Sequence, residues 1–234
     1  MRRVLSLLVM LTLFVYAADG LPNWYYSIKD VKLQKQKFFE ILRPLVEKEN
    51  KKILQQRAFV KRFFQEYRKN PLVDDALLQK LARLAKKYRI KELYNEQEYL
   101  KKIDTIPVSL VLAQAALESG WGKSRFAKEA NNLFGEWTYG KHGLVPKQRT
   151  PGKKHKIRIF KTIEDSIASY MLNLNRHAAY KEFRMARYLA KKEGKKFDGL
   201  QAAMTMQRYS ELGRRYNHLV TTIIKKNRLH EFEG

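Results

Sequence analysis

Residues 106–118, IPVSLVLAQAALE, constrain the fold of this chain more than any other stretch. They carry one charge, the terminal Glu118, and only Ser109 and Gln114 as polar interruptions. Thr105 and Pro107 mark a helix start. A helix that is apolar all round has no face to give to water, so it must be sheathed by other elements at the centre of its domain. Gly120 and Gly122 end it. The rest of the fold has to be built around this rod.

Around it the sequence reads as mainly α. Phe38, Phe39, Ile41, Leu42, Leu45 and Val46 recur at spacings of three and four, and Ile53, Leu54, Phe59, Val60, Phe63, Phe64 and Tyr67 continue the stripe. Pro44 within it predicts a kink or a break. Asn70-Pro71 is a stop, and Asp74 and Asp75 open the next helix, DDALLQKLARLAKKY. From Asn131 to Phe160 the composition changes to Gly, Pro, Asn and aromatic residues. There GLVPKQR and HKIRIF read as two short strands joined by Thr150-Pro151-Gly152-Lys153. Thr162 and Asp165 form a capping box that opens the helix IEDSIASYMLNLNRH. The expected architecture is α+β, mainly helical, with one small β insertion.

The N-terminus stands apart. Arg2 and Arg3 precede the apolar run VLSLLVMLTLFVYA, and small residues between Ala17 and Gly20 fit a cleavage site. The run is short for a comfortable membrane span, so a signal peptide over 1–20 and export are expected, with an uncleaved anchor as the alternative. A helical region over 21–100 and a main domain over 101–234 follow. Cysteine is absent, which excludes disulfides, thiolate metal sites and a cysteine nucleophile.

A formal net charge of +25 favours a polyanionic partner. Export argues against nucleic acid and points to cell-wall polymers or anionic lipid surfaces; a merely solvated basic surface is the plain alternative. The five histidines show no metal-ligand spacing, so neither metal nor cofactor is expected, and a monomer is.

Glu118 sits where both the helix dipole and desolvation disfavour negative charge, and both raise a carboxyl pKa. A glycosidase general acid needs that property. Trp121 offers apolar shielding or a stacking face for a sugar. A buried structural hydrogen bond or ion pair explains the same acid without catalysis.

The blocks AQAALESGWGKS and NNLFG resemble the glucosaminidase family of bacterial cell-wall hydrolases. The likeness is greatest to its Bax-type branch, to which GLVPKQR, SYMLNLNRHAAY and RYSELGRRY are also similar. This resemblance implies a lysozyme-like helical lobe facing a small β-hairpin lobe across a cleft, preceded by a helical extension. It implies cleavage of the β-1,4 bond after N-acetylglucosamine in peptidoglycan, with Glu118 as general acid. Asn132, Leu133, Phe134 and Gly135 match the block lining the cleft, and Tyr209 matches a tyrosine near the cleaved bond.

The chain departs from the pattern in one respect. Many glucosaminidases of this type carry a second carboxylate in the β lobe, but no Asp or Glu occurs from Trp137 to Ile163. Glu164 and Asp165 read as first-turn helix acids. Three mechanisms stay open: attack by the substrate's own acetamido group, charge stabilisation or positioning by Tyr209, and water activation by Glu136 with inversion. Substrate assistance helped by Tyr209 is the sequence-based preference. Trp137 and Tyr139 form an expected sugar-stacking wall. Lys147, Arg149, Lys153, Lys154, Lys156 and Arg158 make the β lobe basic, suited to stem-peptide carboxylates. Lytic transglycosylation, favoured by the Glu118-Ser119 pair, and a silent wall-binding or scaffolding module are the rival functions.

Overall fold

A computed structural model describes residues 20–146, 155–207 and 209–233. The expected signal segment, and the connection 147–154 with four of the β-lobe cations, lie outside the described residues. A short helix α1 (Asn23–Ser27) leads into α2 (Val31–Lys69), whose first turn is capped by Asp30 accepting from the Leu33 amide at 2.7 Å. Helix α2 runs through Pro44 as one helix, so of the kink or break read from the sequence the break does not occur. An interior proline costs on the order of 3 kcal/mol. Phe38, Leu42 and Val46, all fully buried on the flanking turns, hold the helix to the core and offset that cost.

Asn70 ends α2, and Asp74 caps α3 (Asp75–Tyr88) by accepting from the amides of Ala76 and Leu77. Helix α4 (Glu96–Lys102) then delivers the chain to the central rod, α5 (Val108–Ser119). Every residue of α5 from Val108 to Ala116 is buried, as its sequence demands. Helices α2, α9 (Gly199–Met204) and α10 (Arg214–Lys226) enclose it. The α9 contact depends on Gly199, where a Cβ would stand 2.0 Å from Ser109 Oγ. Asn50 on α2 fixes the entry to α5 by exchanging two hydrogen bonds with the Ile106 backbone, at 2.8 and 2.9 Å.

One continuous core runs from Leu21 to Leu229, so the helices before residue 100 share their packing with those after it. Helix α6 (Arg125–Ala130) leads to the β element, which differs from the expected hairpin. Strand β1 (Trp137–Thr138) pairs antiparallel with β2 (Lys156–Ile157), Trp137 opposite Ile157. Among the described residues, the stretch beginning at Gly143 contributes a single bridge, Leu144 to Ile157. Trp137 and Thr138 pair along the other edge of β2, because the Ile157 amide and carbonyl are exchanged with Leu144, so a strand not expected from the sequence is added beside the expected GLVPKQR–HKIRIF contact. The Thr162–Asp165 capping box is present and opens α7 (Ile163–Arg176), followed by α8 (Lys181–Lys192). The fold is thus mainly α with one small two-stranded sheet.

Candidate active site

Glu118 projects from the last turn of α5, before a left-handed Gly120 stops the helix. The helix is buried but Glu118 itself is exposed, so its carboxyl is reachable from solvent. Protein packed around it still displaces enough water to raise its pKa, while a hydrogen bond from Tyr216 acts in the opposite sense.

That hydrogen bond ends a directed chain. The Tyr170 hydroxyl on α7 donates to Gln114 Oε1. Gln114 Nε2 donates to the Tyr216 hydroxyl oxygen at 2.8 Å, and the Tyr216 hydroxyl donates to Glu118 Oε1 at 2.7 Å. Gln114 lies one turn before Glu118 on the same helix face. Burial raises the pKa of both phenols well above the ordinary tyrosine value, so both stay protonated and able to donate. Three helices are therefore tied to one carboxyl by uncharged groups.

Tyr209 stacks on Tyr216 with ring centroids 5.1 Å apart and meets Tyr170 edge-on at 6.2 Å. It packs the ring of the tyrosine that touches Glu118. The direct contact belongs to Tyr216, at the other end of the same RYSELGRRY segment. Tyr180 joins the cluster 6.1 Å from Tyr209, its pKa pushed up to about 12 by burial and then by Glu136 and Glu118.

Glu136 enters from the β side. Its amide donates to Asn132 Oδ1 at 3.0 Å, and its carbonyl accepts from Asn132 Nδ2 at 2.9 Å and from the Arg158 amide at 2.9 Å. With the backbone so pinned, Oε2 accepts from Ser169 Oγ at 2.8 Å and lies 3.7 Å from Arg158 Nη1. Oε1 is buried and has no hydrogen-bond partner among the described residues. Burial raises the pKa of this carboxyl; Ser169, Arg158 and Arg176 oppose the rise. Tyr170 and Tyr180 both sense the charges of Glu118 and Glu136, so the two acids flank one tyrosine cluster.

Several residues expected to line the cleft support it instead. Asn132 is buried, its amide nitrogen shared between the carbonyls of Glu136 and Arg158. Phe134 is buried face to face with Tyr170, ring centroids 3.8 Å apart. Gly135 supplies a left-handed turn at φ 67°. Trp121 is not placed as a sugar platform: its ring packs edge-on against Phe38 and Phe39, at 5.8 and 5.3 Å, beneath the Lys35 ammonium. Its carbonyl accepts from Tyr25 at 2.7 Å, and Leu21 fills the space beside Gly122, where a Cβ would be 2.2 Å away. The N-terminal helices thereby brace the turn after Glu118. Trp137 and Tyr139 are exposed, 58% and 81% respectively, and Trp137 stacks on His155 at 4.2 Å.

Ser119 is almost wholly buried, donating to the Ala115 carbonyl and accepting from the Gly122 amide at 2.7 Å. It closes the helix end and is not presented to a ligand. Glu164 pairs with Lys48 and Lys52, and Asp165 completes the capping box, as their first-turn reading requires.

Comparison with known proteins identifies the family. The glucosaminidase family model, described as mannosyl-glycoprotein endo-beta-N-acetylglucosaminidase, matches residues 94–229. Protein bax of Escherichia coli (strain K12) is 32% identical over 154 residues, 63% of this chain and 54% of that protein. The chain thus spans about half the length of this relative. Among solved structures, the catalytic domain of the autolysin Auto from Listeria monocytogenes aligns at 21% identity, TM-score 0.43, over 75% of this chain and 88% of its own. A C-terminally truncated glycoside hydrolase domain of FlgJ from Salmonella typhimurium aligns at 23% identity, TM-score 0.40, over 63% of this chain and 95% of its own. The chain belongs to the glucosaminidase family, and its match to protein bax is in keeping with the Bax-type resemblance of AQAALESGWGKS and NNLFG.

Proposed function

We propose that the protein is an exported peptidoglycan hydrolase that cleaves the β-1,4 bond after N-acetylglucosamine. The observation that carries this is Glu118: a solvent-reachable carboxyl, its pKa raised by the protein around it, fixed in direction by Tyr216. Such a group holds a proton at pH values where an ordinary carboxyl has lost it, and can give that proton to the leaving glycosidic oxygen. Tyr216 then donates to the carboxylate left behind and stabilises it. Glu136 takes the second role. Its carboxyl lies against the same tyrosine cluster as Glu118 and serves as the base for the attacking water, while Ser169 fixes Oε2. Water attacks the anomeric carbon, the glycosidic bond breaks, the leaving oxygen takes the Glu118 proton, and Glu136 receives the proton from water. This course inverts the anomeric carbon. Tyr209 acts as a positioning residue through its stacking on Tyr216.

The test is mass spectrometry of purified peptidoglycan digested with wild type, Glu118→Gln and Glu136→Gln, with the first-formed anomer read by NMR. New reducing N-acetylglucosamine ends that require Glu118, formed with inversion, are expected. Retention would transfer the role of Glu136 to the substrate's acetamido group. Anhydromuramyl ends would make the reaction transglycosylation, and absence of any cleavage would leave a wall-binding module.

A further inference from the structure

Beside the Glu136 wall lies a run of cations whose neighbouring acids are already engaged. A cavity of about 500 Å³ is lined by Lys87, Arg158, Lys161, Ser169 and Arg176, among others. A second, of about 590 Å³, is lined by Arg89, Lys101, Lys181, Arg184 and again Arg176. Arg176, the last residue of α7, lines both cavities, which together form the candidate groove. The acids on these walls have other partners: Glu49 pairs with Lys52 at 3.1 Å, Glu98 with Lys102 at 2.7 Å, and Asp165 serves the capping box. Among the described residues, no carboxylate lies within ion-pair distance of Lys87, Arg89, Arg176 or Lys181.

Arg176 shows the imbalance most clearly. Its Nε is buried without a partner, and Nη1 reaches only the Lys87 carbonyl, at 3.4 Å. Burial, followed by the like charge of Arg89 and then of Arg158, holds its pKa below the ordinary arginine value, with Glu136 acting in the opposite sense. A guanidinium without a carboxylate partner, set among other cations, is ready for a carboxylate or phosphate. The groove also begins at the site: Arg158 and Ser169 line it, and both reach Glu136 Oε2. An anion lying there is therefore best supplied by a branch of whatever polymer the site holds.

We propose that this groove binds the carboxylates of peptides carried by the glycan, with Arg176, Arg89 and Lys181 reading the peptide while the sugar lies at Glu118. The inference rests on the proposed glycan-cleaving function and names the part of the substrate that the cations recognise. Free phosphate polymers share the anionic chemistry but have no reason to begin at the Glu136 wall.

Calorimetric titration separates these cases. A soluble glycan fragment bearing its stem peptides, the same fragment stripped of peptide, and polyphosphate are each titrated into the full chain and into the double variant Arg89→Glu/Lys181→Glu. Both substituted side chains are exposed, so the fold tolerates the change. Severalfold tighter binding of the peptide-bearing fragment, with that preference lost in the double variant and weakened by salt, is expected. Equal affinity for the two fragments overturns the proposal. So does an equal loss for both fragments in the double variant, or polyphosphate binding that depends on Arg89 and Lys181 while the peptide gives no gain. Cleavage is scored separately through new reducing ends. Peptide-dependent binding without cleavage supports the groove and overturns the catalytic role of Glu118.

Discussion

Glu118 and Glu136 have their pKa values raised by the same cause, burial, but the regions that hold them oppose it by different means. On the α5 side, among the described residues, the converging donors are neutral: Tyr170, Gln114 and Tyr216 form one chain to Glu118. On the β side Ser169 is joined by the charges of Arg158 and Arg176. A dipolar donor acts at contact and is insensitive to salt, whereas a cation acts over distance and is screened. The first arrangement suits a group that must stay protonated until it gives up its proton. The second suits a group that must be ionised to accept one. Environment alone can divide the acid and base roles between two carboxyls.

The largest expected effect comes from removing the acid. Glu118→Gln keeps the size and the hydrogen bond from Tyr216 but has no proton to transfer, so kcat should fall by about 10²–10⁴-fold. Thermal unfolding should be little changed, because the residue is exposed. A near-normal rate would leave the comparison without its acid. Glu136→Gln should cost about 10²-fold in kcat, near the lower end of the same range, because substrate and water still bind. A chemical nucleophile such as azide, which needs no deprotonation, should recover part of the loss; failure to do so would point to a structural role.

The contrast also explains how far the sequence could be read. Helix α5 was legible because its composition leaves one solution, and Gly120, the capping box and the stop at Asn70 act locally. Continuity through Pro44 was not legible, since it depends on packing by distant elements. Strand pairing was only half legible: HKIRIF and its contact with GLVPKQR at Leu144 were recognised, but the added strand Trp137–Thr138 follows the Asn132 clamp on Glu136, which no local pattern records. The raised pKa of Glu118 followed from its place at the end of a buried helix. Tyr216 did not, because its bond to Glu118 spans 98 residues. A trace of it was present in Gln114, a polar side chain on an otherwise apolar rod, one turn before the acid. The same local reading over-assigned Trp121, whose neighbours in sequence suggested the site but whose ring contacts come from α2.

Tyr216→Phe tests the neutral side at intermediate magnitude. The Tyr216 hydrogen bond lowers the Glu118 pKa, so deleting it should raise that pKa further. A general acid works while protonated, and activity fails as pH rises through its pKa. The alkaline limb of the kcat/KM profile should therefore move to higher pH. The buried Gln114 amide also loses its acceptor, so stability should drop by about 1–3 kcal/mol, read from denaturant midpoints at unchanged m. A limb that stays in place would mean that Tyr216 orients Glu118 without tuning it.

The smallest effect belongs to Arg158→Gln, on the charged side. Arg158 lowers the Glu136 pKa across 3.7 Å, but its own side chain is half exposed and solvent screens the pair. A base works while ionised, so removing this cation should move the acidic limb of kcat/KM to slightly higher pH and leave the alkaline limb unchanged. Added salt should move the wild-type limb in the same direction and the variant's limb by less, because only Arg176 is then left to be screened. Equal movement of both limbs with salt would show that the two carboxyls share one electrostatic environment. The division into a neutral wall and a charged wall would then fail.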